Sequence, residues 1–325
     1  MQQISYLKQS KNLLAFSAGI DSTALFFMLR DYDIEFDIAI VDYGVRVQSI
    51  LEVEYAKELA TTYNKKCYST KAPHFSSNFE ANARKFRYDF FGQIIKAQGY
   101  DTLVMAHQLN DQLEWMLMRL CKGAGVCEMV GLDSISSKDG YKIVRPLLNY
   151  SKDELLEYLH KNSIKYFVDE SNSDTKYERN YFRKHFGDKL IANYKDGIKR
   201  SFEYLHSDKE FLMDFEIVCE IDELSIIRAN NNKITAIDKT LKQKGYLLSA
   251  SQREEIRDNN SIVIGGKWVV ESSSNLVYIA PKAEASMPKE FKERCRVAKI
   301  PTKIRPYLYQ NQIDIQRIVE CQKSI

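Results

Sequence analysis

The sequence predicts an α/β protein: a doubly wound, mainly parallel sheet, followed by a helical unit and a small C-terminal α+β domain. Three observations carry that prediction. Short apolar runs at residues 12–16, 37–41 and 102–106 alternate with segments of helical period, the pattern of βαβ units with helices on both faces of a sheet. The first run opens onto a helix through six small or polar residues, Ser17-Ala18-Gly19-Ile20-Asp21-Ser22. Beyond residue 260 the chain changes character, with a Gly265-Gly266 pair between two β-rich runs that marks a hairpin. A chain of 325 residues accommodates two or three domains, and the expected divisions are 1–187, 188–260 and 261–325.

Taken in order, residues 12–16 (Asn-Leu-Leu-Ala-Phe) form a buried strand and 23–30 a helix. Residues 37–41 form a second strand ending at Asp42-Tyr43-Gly44. Between 48 and 63, Ile50, Leu51, Val53, Ala56, Leu59 and Ala60 recur at helical spacing. Residues 66–70 make a weaker strand, 78–97 a long helix, 102–106 a strand, and 109–121 a helix closed by Gly123 and Gly125. A last strand over 143–148 is broken by Pro146. Ser151 and Glu154 make a capping box for the next helix. Residues 169–175 are too rich in turn formers to be an element. Residues 187–215 read as a long helix, 220–260 as a small helical unit, and 277–279 as a partner for the Gly-Gly hairpin, followed by a basic tail from Lys282.

Ligands of open parallel sheets bind at the carboxyl ends of the strands, which puts residues 17–22, Asp42 and His107 on one rim. At the first junction the leading N–H groups of the helix lack intrahelical partners and the dipole favours negative charge. Ala18 and Gly19 let a phosphate approach the main chain, and Ser17 and Ser22 add hydroxyl donors. Asp21 fits a polyphosphate once a divalent cation bridges it to phosphate oxygens. The same six residues also read as a tight turn with Ser22 as N-cap. Asp111 and Glu114, three apart beside His107, suit magnesium, an amine or general-base work, or else they cap the helix. Arg84 and Arg87 are placed to neutralise triphosphate charge. Residues 176–200 interleave basic side chains with Tyr177, Tyr181, Phe182, Phe186 and Tyr194, which suits either RNA or an amphipathic helix with an aromatic core.

A net charge of +3 argues neither for nor against nucleic acid, and 44% hydrophobic residues suffice for substantial cores. Six scattered cysteines without a Cys-x-x-Cys pair point to reduced thiols in a cytosolic protein. No stretch has the length of a signal-peptide core or of a spanning helix, so a soluble cytoplasmic protein with no membrane partner is expected. Oligomeric state is left open, a homodimer among the alternatives. There is no Walker A loop and no Gly-x-Gly-x-x-Gly.

The residue 17–22 loop resembles the Ser-Gly-Gly-x-Asp-Ser pyrophosphate loop of the ATP pyrophosphatases, with Ala18 in place of the usual first Gly. The ordered set is more specific. The loop, Asn82-Ala83-Arg84-Lys85-Phe86-Arg87-Tyr88, Ala106-His107 with Asp111-Gln112 and Glu114, and Arg119 come first. Gly123-Ala124-Gly125, Arg145-Pro146-Leu147-Leu148, and residues 169–183 with Asn172, Asp174, Arg179-Asn180 and Arg183 complete it. Together these resemble the tRNA(Ile)-lysidine synthase family over about residues 11–190.

The resemblance implies a PP-loop, adenine nucleotide alpha hydrolase-like fold and an enzyme using ATP and Mg2+. Its substrates would be free L-lysine and a tRNA(Ile) with a CAU anticodon. The wobble cytidine is adenylated at its C2 oxygen with loss of pyrophosphate; lysine then displaces AMP to give lysidine. Implied roles are pyrophosphate binding at Ser17, Ala18, Gly19, Ile20, Asp21 and Ser22, magnesium at Asp21, and catalysis by Asp21, Arg87, His107, Asp111 and Glu114. Arg84, Asn172, Asp174, Arg179, Asn180 and Arg183 would position the tRNA. The chain departs from the family at Asn110, where a second acid is usual, and at Asp42-Tyr43, where His residues are usual. The alternatives are a related PP-loop enzyme that adenylates RNA for thiolation or amidates a small molecule, and a non-catalytic RNA-binding protein with a degenerate loop.

Overall fold

The computed structural model describes residues 2–44, 48–75, 77–168, 178–229, 232–273 and 275–323. Asn172 and Asp174 therefore lie outside the described residues. The chain divides into two compact units, Met1–His206 and Ser207–Ile325.

The first unit runs α1 (Gln2–Lys8), β1 (Asn12–Ala15), α2 (Ile20–Asp31), β2 (Phe36–Asp42), α3 (Gln48–Thr62), β3 (Cys67–Lys71), α4 (Phe79–Gln98), β4 (Thr102–Val104) and α5 (Leu109–Leu120). It continues through α6 (Val126–Met129), β5 (Ile135–Lys138), β6 (Tyr141–Val144), α7 (Lys152–Lys161) and α8 (Glu178–Phe182). A π-helical turn, Arg183–Gly187, leads into α9 (Asp188–Leu212). The sheet order is β3-β2-β1-β4-β6-β5. All pairs are parallel except β5 on β6. This is the predicted doubly wound sheet, and its order reverses between β1 and β4.

Alternation along the strands divides the core into two faces. Leu14, Ile38, Ile40 and Val104 pack with Phe26 and Leu29 of α2 and Leu59 of α3. Leu13, Ala39, Leu103 and Ile143 pack with Phe91, Ile94 and Ile95 of α4 on the other face. Burial on both sides is why these strands read as continuous apolar runs rather than as half-polar ones.

Two local expectations change. The last strand is Tyr141–Val144, not 143–148: it stops before Pro146, which has no N–H to give a ladder. It is entered by an unpredicted antiparallel hairpin from β5, turning at Asp139 and Gly140, which both have positive φ. Asp-Gly is a hairpin signal in its own right, passed over because β5 (Ile-Ser-Ser-Lys) has little apolar character.

The division at 187 also shifts. Ile191 and Phe202 of α9 are buried against Leu109 and Leu113 of α5, so residues 188–206 belong to the first unit.

The second unit holds β7 (Phe215–Ile221), β8 (Leu224–Ala229), α10 (Lys233–Gln243), α11 (Ala250–Asp258), β9 (Ser261–Ile264), β10 (Trp268–Ser273) and β11 (Leu276–Pro281). Three helices follow, α12 (Lys289–Val297), α13 (Arg305–Gln310) and α14 (Ile315–Lys323). The strands form one antiparallel sheet, β7-β8-β11-β10-β9.

The expected helical unit over 188–260 is thus corrected: residues 215–229 are a strand hairpin. Its signal was the alternation of Phe215, Ile217, Cys219 and Ile221 with Glu216, Val218 and Glu220. The basic tail is corrected too, because Cys295, Ile300, Ile304, Leu308 and Ile318 are buried against the sheet. The hairpin at Gly265-Gly266 forms as expected, both glycines having positive φ, and β11 pairs with β10. Cys219 of β7 and Cys321 of α14 are joined, a pairing that the scattered cysteines did not suggest.

Candidate active site

The β1–α2 junction begins with the backbone. Ala18 lies at φ 59° and is fully buried. A left-handed residue there reverses the chain between strand and helix, which accounts for a glycine at the matching place in the pyrophosphate loop that this one resembles. Phe167 N–H donates to Ala18 O at 2.9 Å, and Gly19 and Phe167 form a parallel bridge that straps the loop. Ser22 Oγ accepts from Ser17 N–H (3.2 Å) and lies 3.0 Å from Ser17 Oγ. Gly19 is the N-cap of α2 and makes no side-chain cap. The helix N-terminus is therefore presented to the cavity with its donors uncovered by any cap, an anion site by construction.

The cavity above this loop, about 480 Å³, lies at the carboxyl ends of β1, β2 and β4. Of the predicted residues, Ser17, Gly19, Ile20, Asp21, Ser22, Arg84, Arg87, His107, Asp111, Arg179 and Arg183 line it. Residues spread over more than 160 positions thus meet at the place where the strand order reverses.

Asp21 carries a strong electrostatic signature. Its Oδ1 is buried without a hydrogen-bond partner among the described residues. Burial first, and Asp111 second, push its carboxyl up to about 7, against the pull of Lys152 and Arg183. A cation would relieve both the orphaned oxygen and the raised proton affinity. No group of three His, Cys, Asp or Glu suited to a metal occurs among the described residues. A buried carboxylate oxygen without a partner, beside an uncapped helix N-terminus, fits magnesium, which is held by one or two carboxylates plus phosphate oxygens rather than by a protein cage.

His107 sits just after β4 with Nδ1 buried and unpartnered among the described residues. Burial, then Arg145, Arg179, Arg84 and Arg87, push it down to about 3, so the ring is neutral near pH 7. Arg87 Nε is likewise buried and unpartnered. Arg84 lies over the Tyr88 ring.

The α5 carboxylates separate in role. Asp111 completes a capping box, its Oδ2 accepting Gln108 N–H at 3.0 Å, and its Oδ1 accepts Arg179 Nη2. Glu114 is fully buried and is not among the residues lining the cavity. Its Oε2 accepts Arg179 Nε (2.7 Å), and its Oε1 accepts Arg183 Nε (2.6 Å). Glu114 thus meets two guanidiniums rather than the open cavity. Both oxygens of Asp111 are engaged as well, by Gln108 N–H and Arg179, so what separates the two carboxylates is that Asp111 lines the cavity and Glu114 does not. The place of Glu114 is to hold the two guanidiniums at the cavity wall.

The two departures acquire definite contacts. Asn110 Oδ1 accepts Lys152 N–H at 3.2 Å, tying α5 to the start of α7, and the same side chain hydrogen-bonds Asp188. A second acid there would face Asp188. Asp42 caps its own turn through Gly44 N–H at 2.7 Å, and it is Tyr43 that lines the cavity.

Sequence reasoning missed Lys152, Glu52, Ser49 and Phe167 as cavity residues. Lys152 had a signal: it occupies the first turn of α7, where the macrodipole disfavours a cation, so another interaction has to account for it. Glu52, Ser49 and Phe167 reach the cavity only through the packing of α3 and the strap onto the loop.

Residues 1–190 match a PP-loop domain family. The chain is 44% identical over 315 residues to a tRNA(Ile)-lysidine synthase of Campylobacter jejuni, covering 97% of both chains. It is 46% identical over 306 residues to one of Helicobacter pylori, covering 93% of this chain and 90% of the relative. Among solved structures, a U34-tRNA thiolase of Methanococcus maripaludis with a [4Fe-4S] cluster superposes with a TM-score of 0.51 over 63% of this chain and 78% of its own, at 16% identity. That likeness speaks for the fold.

Proposed function

The chain belongs to the tRNA(Ile)-lysidine synthase family of PP-loop enzymes, and from that premise we propose that it ligates free L-lysine to C2 of the wobble cytidine of a CAU-anticodon tRNA(Ile). ATP is cleaved to AMP and pyrophosphate. The observation that carries the reading is identity of 44% over 97% of both chains, combined with an uncapped anion loop beside an orphaned carboxylate.

In the first step the cytidine C2 oxygen forms a bond to the ATP α-phosphorus and the bond to pyrophosphate breaks. Ser17, Ala18, Gly19, Ile20 and Ser22 receive the leaving pyrophosphate through main-chain N–H groups and hydroxyls. Arg87 and Lys152 carry positive charge to the same cavity, and neutral His107 can act there as hydrogen-bond donor or acceptor but not as a cation. Asp21 would hold magnesium, which when bound would supply charge neutralisation at the phosphate. In the second step the lysine amine bonds to C2, the C2–O bond to AMP breaks, and the amine sheds a proton. Asp111 is the cavity carboxylate of α5 and the group we assign to orient that amine and take its proton. Arg84, Asn180, Arg179 and Arg183 position the RNA, the last two held by Glu114.

A thiolating PP-loop enzyme is disfavoured by the absence, among the described residues, of a metal-ligating Cys cluster. No helix among those residues is long and apolar enough to cross a membrane, and the cytoplasm is where we place the reaction. The test is incorporation of radiolabelled lysine into an unmodified CAU-anticodon transcript with ATP and Mg2+, against a transcript carrying uridine at the wobble position. Label in the cytidine transcript alone is the expected result. Pyrophosphate release without lysine incorporation overturns the assignment and moves the chemistry to another nucleophile.

A further inference from the structure

The aromatics between residues 181 and 186 are not core. Tyr181 is 45% exposed and Phe186 44%, on the same helical stretch as Arg179 and Arg183, which line the cavity. Arg179 and Arg183, four apart, both turn inward to Glu114. Tyr181 and His185, and Phe182 and Phe186, are also four apart and face one another: the Tyr181 and His185 ring centroids are 4.5 Å apart at 36°, those of Phe182 and Phe186 5.7 Å at 39°. Tyr181 and Phe186 bridge the two pairs at 6.2 Å.

The π-helical turn makes this arrangement. Asp188 N–H donates to Arg183 O, five residues back, so one extra residue is accommodated and the helix beyond is rotated by about 100°. Ile191 can then pack on α5 while the rings upstream stay in solvent.

Exposed, clustered rings beside a cavity of this kind call for a flat partner. Lys184 and Lys189 on the same stretch are exposed, so the patch pairs π-faces with positive charge. That is the chemistry of a platform for unpaired bases on a polyanionic backbone. The geometry points to a base-stacking platform, Tyr181–His185–Phe186, for a nucleotide of the anticodon loop next to the one that enters the cavity. The inference rests on the CAU-RNA reading of the site. Its role is binding: once a neighbour is stacked outside, the target base is held unstacked at the cavity mouth.

The experiment uses the full chain and a CAU anticodon stem–loop RNA, with affinity read by fluorescence anisotropy. Tyr181→Ala and Phe186→Ala are each expected to weaken binding about tenfold or more, and Tyr181→Phe and Phe186→Trp to retain it. Stem–loops abasic at one loop position in turn give the decisive comparison. At the stacked position the loss in wild type should equal the loss in Tyr181→Ala on the intact loop, with no further loss when both are combined. Losses that add at every position overturn the platform, as does wild-type affinity in both alanine variants. Conversion of a dimer to a monomer by Tyr181→Ala would assign the patch to a second copy and likewise overturn it. A measurement on wild type alone guards against misfolded variants: 5-iodouridine at each loop position should photo-cross-link to Tyr181, His185 or Phe186, and no cross-link to this stretch refutes the inference. Lysine incorporation by wild type separates the two readings. Its failure sinks the proposed function, whereas incorporation with unaltered RNA affinity in the variants sinks only the platform.

Discussion

Glu114 Oε2 and Arg179 Nε meet at 2.7 Å across 65 positions of sequence. Arg183 occupies the other oxygen of the same fully buried carboxylate. One glutamate thus fixes two guanidiniums that approach from a different segment, and the site wall depends on it. Glu114→Gln keeps the shape but removes the charge facing two arginines. The cost should fall between the ~1 kcal/mol of an exposed pair and the ~3–5 kcal/mol of a fully buried one, because the Arg179 side chain is 43% exposed. Thermal melting and the KM for RNA check it: a variant with wild-type values for both would show that the arginines hold their places unaided.

Asp21 makes stability depend on pH. Its folded-state pKa of about 7 lies above the ordinary 3.8, so the folded protein retains a proton that the unfolded chain has lost. The contribution is fully present below pH 4 and disappears as pH rises through 7. Without ligand, the part of the melting temperature owed to this group should fall between pH 4 and 7. In Asp21→Asn that component should vanish together with turnover. Magnesium pyrophosphate should suppress the same component in wild type by stabilising the carboxylate. The comparison of wild type with Asp21→Asn across pH checks the assignment, and identical pH slopes would refute it.

Ala18 at φ 59° is strained where glycine is not, by about 1–2 kcal/mol. Ala18→Gly relieves the strain but loosens the unfolded chain by about 0.4–1 kcal/mol, so a small net gain is expected. Ala18→Val adds a β-branched side chain at a fully buried, left-handed position and should cost roughly 2 kcal/mol or more, with loss of pyrophosphate affinity. Denaturant midpoints rank the three, and a valine variant as stable as wild type would contradict the loop geometry.

Lys152 pulls the Asp21 carboxyl toward its charged form and lines the cavity. Lys152→Met should raise the Asp21 pKa further and weaken pyrophosphate binding about tenfold, by removing a charge from a poorly solvated site. Calorimetric titration with magnesium pyrophosphate at two pH values reads both effects. Unchanged affinity would place the amine outside the phosphate subsite.

Much of this site was legible because its parts are local. The residue 17–22 loop, the capping box at Ser151, and the 12–16 and 102–106 strands each follow from neighbours within a few positions, whereas the cap of α5, expected from Asp111 and Glu114, forms from Gln108 and Asp111. The strands of the second unit at 215–229 escaped the sequence reading, because their alternation is weakened by Val218 on the polar side. Their pairing closes across a chain reversal that acidic residues, not Gly or Asn, provide at Asp222-Glu223.

The sequence by itself determined the alternating α/β architecture, the anion loop and the family, since hydrophobic period and turn chemistry act over one or two helical turns. Tertiary structure alone decided which carboxylate faces the cavity. Asp111 and Glu114 are both acids on one helix, and only the arrival of Arg179 and Arg183 turns one into a support and leaves the other at the cavity. It also decided that Ala18 needs a left-handed backbone, that Lys152 joins the site, and that the rings of Tyr181, His185 and Phe186 are exposed. Each of these is set by contacts between segments far apart in sequence, where the energy belongs to the pair and neither residue carries it alone.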